Sequence, residues 1–227
     1  MGRRFAREKE QLTELPIMED AMFLSFPSVS QPRGKEILRL SLDALSTGGR
    51  VLCRDLSLTV HGGEHIGIIG SNGVGKTTLL AHIARLLAAR PDIRAFYMPQ
   101  SYAELLPMER NAVEFLAPDG DKERVTAARL HLGSVRFTRD EMLAPIGSLS
   151  GGQRAKLCLL RPILSGADVL LLDEPTRNFS PLSNPVIRDI LSDFGGAILS
   201  VSHDRKYLLE VCETLYRLTP DGLLRQW

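Results

Sequence analysis

Five short stretches of this chain carry residue types and spacings suited to chemistry. "GSNGVGKTT", from Gly70 to Thr78, has the spacing G-x-x-x-x-G-K-[ST] of a P-loop. Gly70, Gly73 and Gly75 let the backbone of Ser71, Asn72 and Val74 wrap around phosphates. Lys76 neutralises the β and γ oxygens, Thr77 offers a hydroxyl to magnesium, and Thr78 continues into the next element. "VLLLDE" brings Asp173 to the end of an apolar run, where it can hold the magnesium shell, and sets Glu174 beside it to orient or deprotonate an attacking water. "AILSVSH" delivers His203 in the same way, placed for contact with a γ-phosphate, and Gln100 also closes an apolar run. The fifth stretch, "SLSGGQR" at 148–154, is a costly helix start, because each glycine in a first turn gives up roughly 1 kcal/mol relative to alanine. Ser150 and Gln153 have capping-box spacing, which is one reading. Gly151 and Gly152 keep side chains away from the amides of a helix N-terminus, and that second reading makes the stretch an anion site.

These groups work only if strands and helices carry them to one place. "ILRLSLD" and "LCRDLSLTV" alternate apolar and polar residues as half-buried strands do. Gly62 and Gly63 turn the chain into the apolar strand "HIGIIG", which feeds the P-loop, and "KTTLLAHIARLLAA" follows at helical spacing. "IRAFYM" is a further strand, closed by Pro99. Residues 103–147 hold helical pieces, "NAVEFLA" and "KERVTAARLHL", between Pro107, Pro118, Gly120, Gly133 and Pro145, and read as a helical insertion. A helix over 154–165 and the strand "DVLLLD" come next. Then follows "SNPVIRDILSDF", with Asn184 as its N-cap, Pro185 at the first helical position and Gly195 just past its end. "AILSVS", a short helix and a terminal pair of strands complete an α/β order with a largely parallel core sheet.

Bulk properties exclude several classes. Hydrophobic residues make up 44% of the 227 and charged ones 24%, as in ordinary globular proteins, and a net charge of +1 gives no whole-molecule attraction to nucleic acid or membrane. Arg3, Arg4, Arg7 and Lys9 make only the first ten residues basic. Cys53, Cys158 and Cys212 are scattered without C-x-x-C spacing, which argues against a zinc site or disulfide framework and fits a reducing, cytoplasmic setting; Cys158 reads as a small core hydrophobe. No run approaches the roughly 18 apolar residues of a membrane span, and no signal-peptide pattern is present.

Taken together, the P-loop, Gln100, "LSGGQ", "LLLDEP" and His203, in that order, resemble the nucleotide-binding cassette of ABC proteins. The likeness implies a P-loop NTPase fold with antiparallel strands at the N-terminal side, a parallel core sheet and a helical subdomain over about 103–165. It also implies ATP and Mg²⁺ as ligands. Thr77, Asp173 and Gln100 would serve the metal, and Lys76, Gln100, Glu174 and His203 the reaction. In this family Ser150, Gly151, Gly152 and Gln153 would close over a triphosphate held by the P-loop of a second cassette. "LSGGQRAKL", "LLLDEPT" and "SVSHDRKYL" look most like the ABC-F branch, soluble ATPases that act on ribosomes and include antibiotic-resistance factors. On that likeness residues 1–36 resemble the charged end of an interdomain linker, 37–227 form the cassette, and the chain corresponds to a C-terminal half.

Two departures from the family stand out. The loop after "DEPT" reads Arg177-Asn178-Phe179-Ser180-Pro181, without the expected acidic residue, and no aromatic that would stack on adenine stands near Thr47 in "LSTGGR". ATP over GTP is therefore implied by resemblance alone. An ATPase subunit of a transporter, and a half-protein that binds nucleotide without productive dimerisation, are the alternative readings.

Overall fold

The structure, a computed structural model, describes residues 32–101, 105–177 and 184–227. The basic N-terminal segment and Asn178 to Pro181 lie outside the described residues. Strands β1 (Glu36–Thr47) and β2 (Arg50–His61) form an antiparallel hairpin. Its two turn residues, Gly48 and Gly49, have φ of 54° and 77°, the left-handed pair that a two-residue hairpin turn needs to match strand twist. Leu40, Leu56, Leu58 and Val60 point from the hairpin into the core, as the alternation in the sequence implies.

β3 (His65–Ile69) leads through the P-loop into α1 (Lys76–Ala88), and β4 (Ala95–Met98) follows. The helical insertion contains α2 (Ala112–Leu116), α3 (Lys122–Ser134), α4 (Arg139–Leu143) and a 3-10 turn at Ile146–Ser148. Each of these helices starts on a side-chain cap, from Asn111, Asp121 and Thr138 respectively. Short polar segments with little core of their own depend on such caps, each contributing about 1 kcal/mol. α5 (Gly151–Leu164), β5 (Val169–Asp173), α6 (Asn184–Ser192), β6 (Ala197–Val201), α7 (Arg205–Val211), β7 (Thr214–Thr219) and β8 (Gly222–Arg225) complete the order.

Two boundaries differ from the sequence reading. α5 begins three residues before Arg154, because the Ser150 cap draws both signature glycines into the first turn. Asn184 stands inside α6 rather than ahead of it, and its buried Oδ1 has no hydrogen-bond partner, so it does not act as the cap.

The main sheet has six strands in the order β4-β5-β6-β3-β7-β8; every pair is parallel except β7–β8. It is covered on both faces, which explains its nearly continuous apolar strands. Along β5, Val169 and Leu171 enter one core with α1 and the hairpin. Leu170 and Leu172 enter the other, with α5, α6 and α7. At the amino end of β3, buried His65 ties three segments together: its ring nitrogens lie 3.0 Å from the carbonyls of Val211 and Phe194. Cys53, Cys158 and Cys212 are buried free thiols, and burial pushes Cys158 and Cys212 up to about 12. Among the described residues no helix is long and apolar enough to cross a membrane.

Candidate functional site

Because β4, β5, β6 and β3 run parallel, their carboxyl ends emerge along one edge of the sheet, the place where open α/β sheets bind ligands. Met98 leads to Gln100, Asp173 to Glu174, Val201 to His203 and Ile69 to the P-loop. The result is a cleft of about 530 Å³ whose walls include Lys76, Thr77, Gln100, Asp173, Glu174 and His203. Six residues drawn from four separate stretches of sequence thus meet in one place.

The P-loop supplies the basic wall. Lys76 is only 8% exposed, and its ammonium donates to the carbonyls of Gly70 (2.8 Å) and Ser71 (3.0 Å). An ammonium has three donors, so those two bonds aim the group while leaving capacity for an anion. Gly75 precedes α1 with φ 109°, and no side chain caps that helix. The amides of its first turn therefore face the cleft as an anion site. Asn72 and Gly73 also line the cleft, whereas Gly70, Ser71 and Val74 face a neighbouring cavity and Thr78 is half-buried on α1.

The acidic wall is at the end of β5. Asp173 is 3% exposed, and its Oδ2 is a buried acceptor with no hydrogen-bond partner. An orphaned carboxylate oxygen in a cleft that Thr77 also lines fits a divalent cation. Among the described residues no cluster of three or more His, Cys, Asp or Glu side chains is able to hold a metal alone. The single unpartnered carboxylate oxygen of Asp173 suits Mg²⁺, which takes one or two carboxylates and completes its shell with phosphate and water.

Among the described residues Glu174 is one of three non-glycine residues with positive φ, at 54°, a strain on the order of 1–3 kcal/mol. Its amide donates to the Val201 carbonyl at 2.9 Å, which pins the kink. The kink turns the carboxylate out of the strand toward His203. The His203 amide donates to Glu174 Oε2 at 3.3 Å, and His203 Nε2 lies 3.6 Å from Glu174 Oε1. Arg177 lines the same cleft, its amide donating to the Glu174 carbonyl at 3.1 Å. The sequence reading did not assign Arg177 to this site. Its signal was a cation three residues past the carboxylate, in a turn opened by Pro175.

The signature stretch lies elsewhere, and Ser150, Gly151, Gly152 and Gln153 are not among the residues lining the cleft. The capping box forms: Ser150 Oγ accepts from the Gln153 amide at 3.3 Å, and Gln153 Oε1 accepts from the Ser150 amide at 2.9 Å. A Cβ added at Gly151 would meet nothing within 4 Å, so packing among the described residues does not demand glycine there.

The family described as "ABC transporter" matches residues 53–177, more than half of the chain. The chain belongs to this ABC family. It is a P-loop ATPase domain of that kind, with an α/β fold and a nucleotide-binding site. "Ribosome protection protein VmlR" of Bacillus subtilis is 31% identical over 99% of this chain and 42% of its own length. "ABC transporter F family member 2" of Arabidopsis thaliana is 24% identical over 96% of the chain and 33% of its length. "ATP-binding protein Uup" of Haemophilus influenzae is 28% identical over 87% and 32%. The chain therefore spans less than half the length of these ABC relatives.

Proposed function

We propose that this ABC domain hydrolyses ATP with Mg²⁺ at a composite site completed by a second cassette, and that it acts on the ribosome in the manner of the ABC-F branch. The observation that carries the composite site is the separation of its two halves. The P-loop, Asp173, Glu174 and His203 surround one cleft, while the glycine-opened start of α5 stands apart from it with open space over Gly151. A head-to-tail pair brings the α5 start of each cassette over the nucleotide of the other. The ribosomal part rests on the likeness to VmlR, named as a ribosome protection protein, and implies a cytoplasmic protein.

In this mechanism Lys76 and the amides of the P-loop hold the β- and γ-phosphates. Thr77, Asp173 and Gln100 hold Mg²⁺, which offsets negative charge on the transferred phosphoryl group when bound. Glu174 accepts a proton from the water as its oxygen bonds to the γ-phosphorus and the bond to the β–γ bridging oxygen breaks. His203 donates to a γ-oxygen and steadies Glu174. The start of α5 from the partner cassette completes the donor set around the γ-phosphate. Catalysis of this kind is positioning and charge stabilisation.

Glu174→Gln tests the reading. Removal of a general base costs about 10²–10⁴-fold in rate, so turnover collapses while ATP stays bound and dimers accumulate on gel filtration. In lysate with Mg–ATP that variant pellets with ribosomes. Near-normal hydrolysis by Glu174→Gln would remove the assigned base. Pelleting with membranes instead would favour a transporter ATPase subunit, and neither dimers nor pelleting would leave a nucleotide-binding unit alone.

A further inference from the structure

A phosphoryl group in transfer spreads its charge over three oxygens, and the cleft has few fixed cations to meet it. Among the described residues that line it, Lys76 and Arg177 are the lysine and arginine, set against the carboxylates of Asp173 and Glu174. Lys76 spends two of its three donors on the Gly70 and Ser71 carbonyls, which leaves one for phosphate. Arg177 is placed by fixed backbone. Its amide closes a turn on the Glu174 carbonyl at 3.1 Å, and the two residues between them, Pro175 and Thr176, are buried. Arg177 itself is exposed, and among the described residues no ion pair or side-chain hydrogen bond engages its guanidinium. An arginine with a structural task looks different: the Arg188 guanidinium is largely buried and paired with Glu210. No carboxylate stands between Glu174 and Asp189 to neutralise Arg177 from along the chain.

We propose that Arg177 is a further catalytic residue, whose guanidinium binds the γ-phosphoryl oxygens of the nucleotide in this cleft and offsets their charge in the transition state. The inference rests on the reading of the cleft as the site of ATP hydrolysis. A guanidinium offers its donors in a planar fork that matches two phosphate oxygens at once, and it stays charged at any working pH. Water bonds through its oxygen to the γ-phosphorus and gives its proton to Glu174. The bond from phosphorus to the bridging oxygen breaks, and its electron pair leaves with ADP. Arg177 exchanges no proton and takes part by charge alone. The short turn from Glu174 to Arg177 gives this role a local basis, because one rigid segment carries both the proton acceptor and the cation. ADP lacks the γ-phosphoryl group, so Arg177 adds nothing to its binding.

The test compares the full-length wild type with Arg177→Ala, Arg177→Lys and Glu174→Gln in the presence of Mg²⁺. It reads steady-state ATP turnover, binding of ADP, and trapping of ADP with aluminium fluoride, which mimics the transferred phosphoryl group. Arg177→Ala is expected to lower kcat and kcat/KM together by at least about tenfold, with trapping weakened to match. Its ADP affinity should move less than about twofold, since that complex holds no group in transfer. Arg177→Lys, which keeps the charge but not the fork, should recover part of the trapping. Turnover by Arg177→Ala within about twofold of the wild type, with Glu174→Gln inactive, would overturn the inference and leave the cleft as the site. Equal losses of ADP binding and of trapping would overturn it as well, because a uniform loss marks a disturbed turn and not a contact to the γ-phosphoryl group. Normal hydrolysis by Glu174→Gln, or none by the wild type, would instead sink the reading of the cleft, and the role of Arg177 with it.

Discussion

The starts of α1 and α5 are both glycine-rich helix N-termini suited to phosphate, yet they are built on opposite terms. At α1, glycine is compelled from within. Gly75 has φ 109°, and an added Cβ would come within 3.1 Å of Leu52 Cδ1. No side chain caps α1, so its first amides remain for a ligand in the cleft. At α5 the Ser150–Gln153 capping box is closed, and among the described residues nothing lies within 4 Å of a Cβ added at Gly151. One glycine answers to the molecule's own backbone and packing. Packing among the described residues does not require the other, and the proposal assigns that corner to a second cassette.

Substitutions separate the two cases. The largest effect is expected at Gly75→Ala. Holding a left-handed, crowded position with a Cβ costs on the order of 1–3 kcal/mol, so both the urea midpoint and nucleotide binding should fall together. Gly151→Ala should split them. Helix propensity favours the alanine by up to about 1 kcal/mol, leaving stability equal or higher, while steady-state ATP turnover drops at least about tenfold, the loss of one transition-state donor or its close approach. A parallel loss of stability at Gly151 would erase the contrast. Ser150→Ala comes next: removing the cap should cost about 1 kcal/mol in chemical denaturation.

The smallest effect concerns the buried thiols. Burial holds Cys158 and Cys212 near 12 instead of the ordinary 9.0. At pH 8 the folded protein should resist alkylation at both, and urea should expose them. Because the folded pKa values are raised, the stability they contribute is complete below about pH 9 and is lost as pH rises toward 12, where the folded thiols also ionise. Urea midpoints at pH 8 and pH 10 check the sign.

Much of this was legible residue by residue. The P-loop, the apolar run into Asp173 and the alternation of the hairpin are local patterns with local causes, and the structure has a strand or turn at each. Short α4 escaped because five residues carry no periodicity and its signal was the Thr138–Glu141 capping box. Asn184 misled because a cap-type residue before Pro185 looks like a helix boundary, whereas the helix includes it. The cavity beside the P-loop, lined in part by Arg50 and Arg217, escaped for a different reason. Their proximity depends on β2 meeting the turn between β7 and β8, where the Arg54 amide donates to the Pro220 carbonyl at 2.9 Å, and on β7 lying beside β3. No spacing in the chain encodes that pairing.

By itself the sequence determined which groups are present and on what kind of element each sits, since glycine spacing, capping pairs and apolar runs act through neighbouring backbone. Only the tertiary structure decided which of them share a space. Parallel pairing sends four strand ends to one edge and gathers Lys76, Gln100, Asp173, Glu174 and His203, and the same packing leaves the α5 start out of that cleft. Strand order is a property of long-range contacts between buried faces, and those faces are interchangeably apolar when read along the chain.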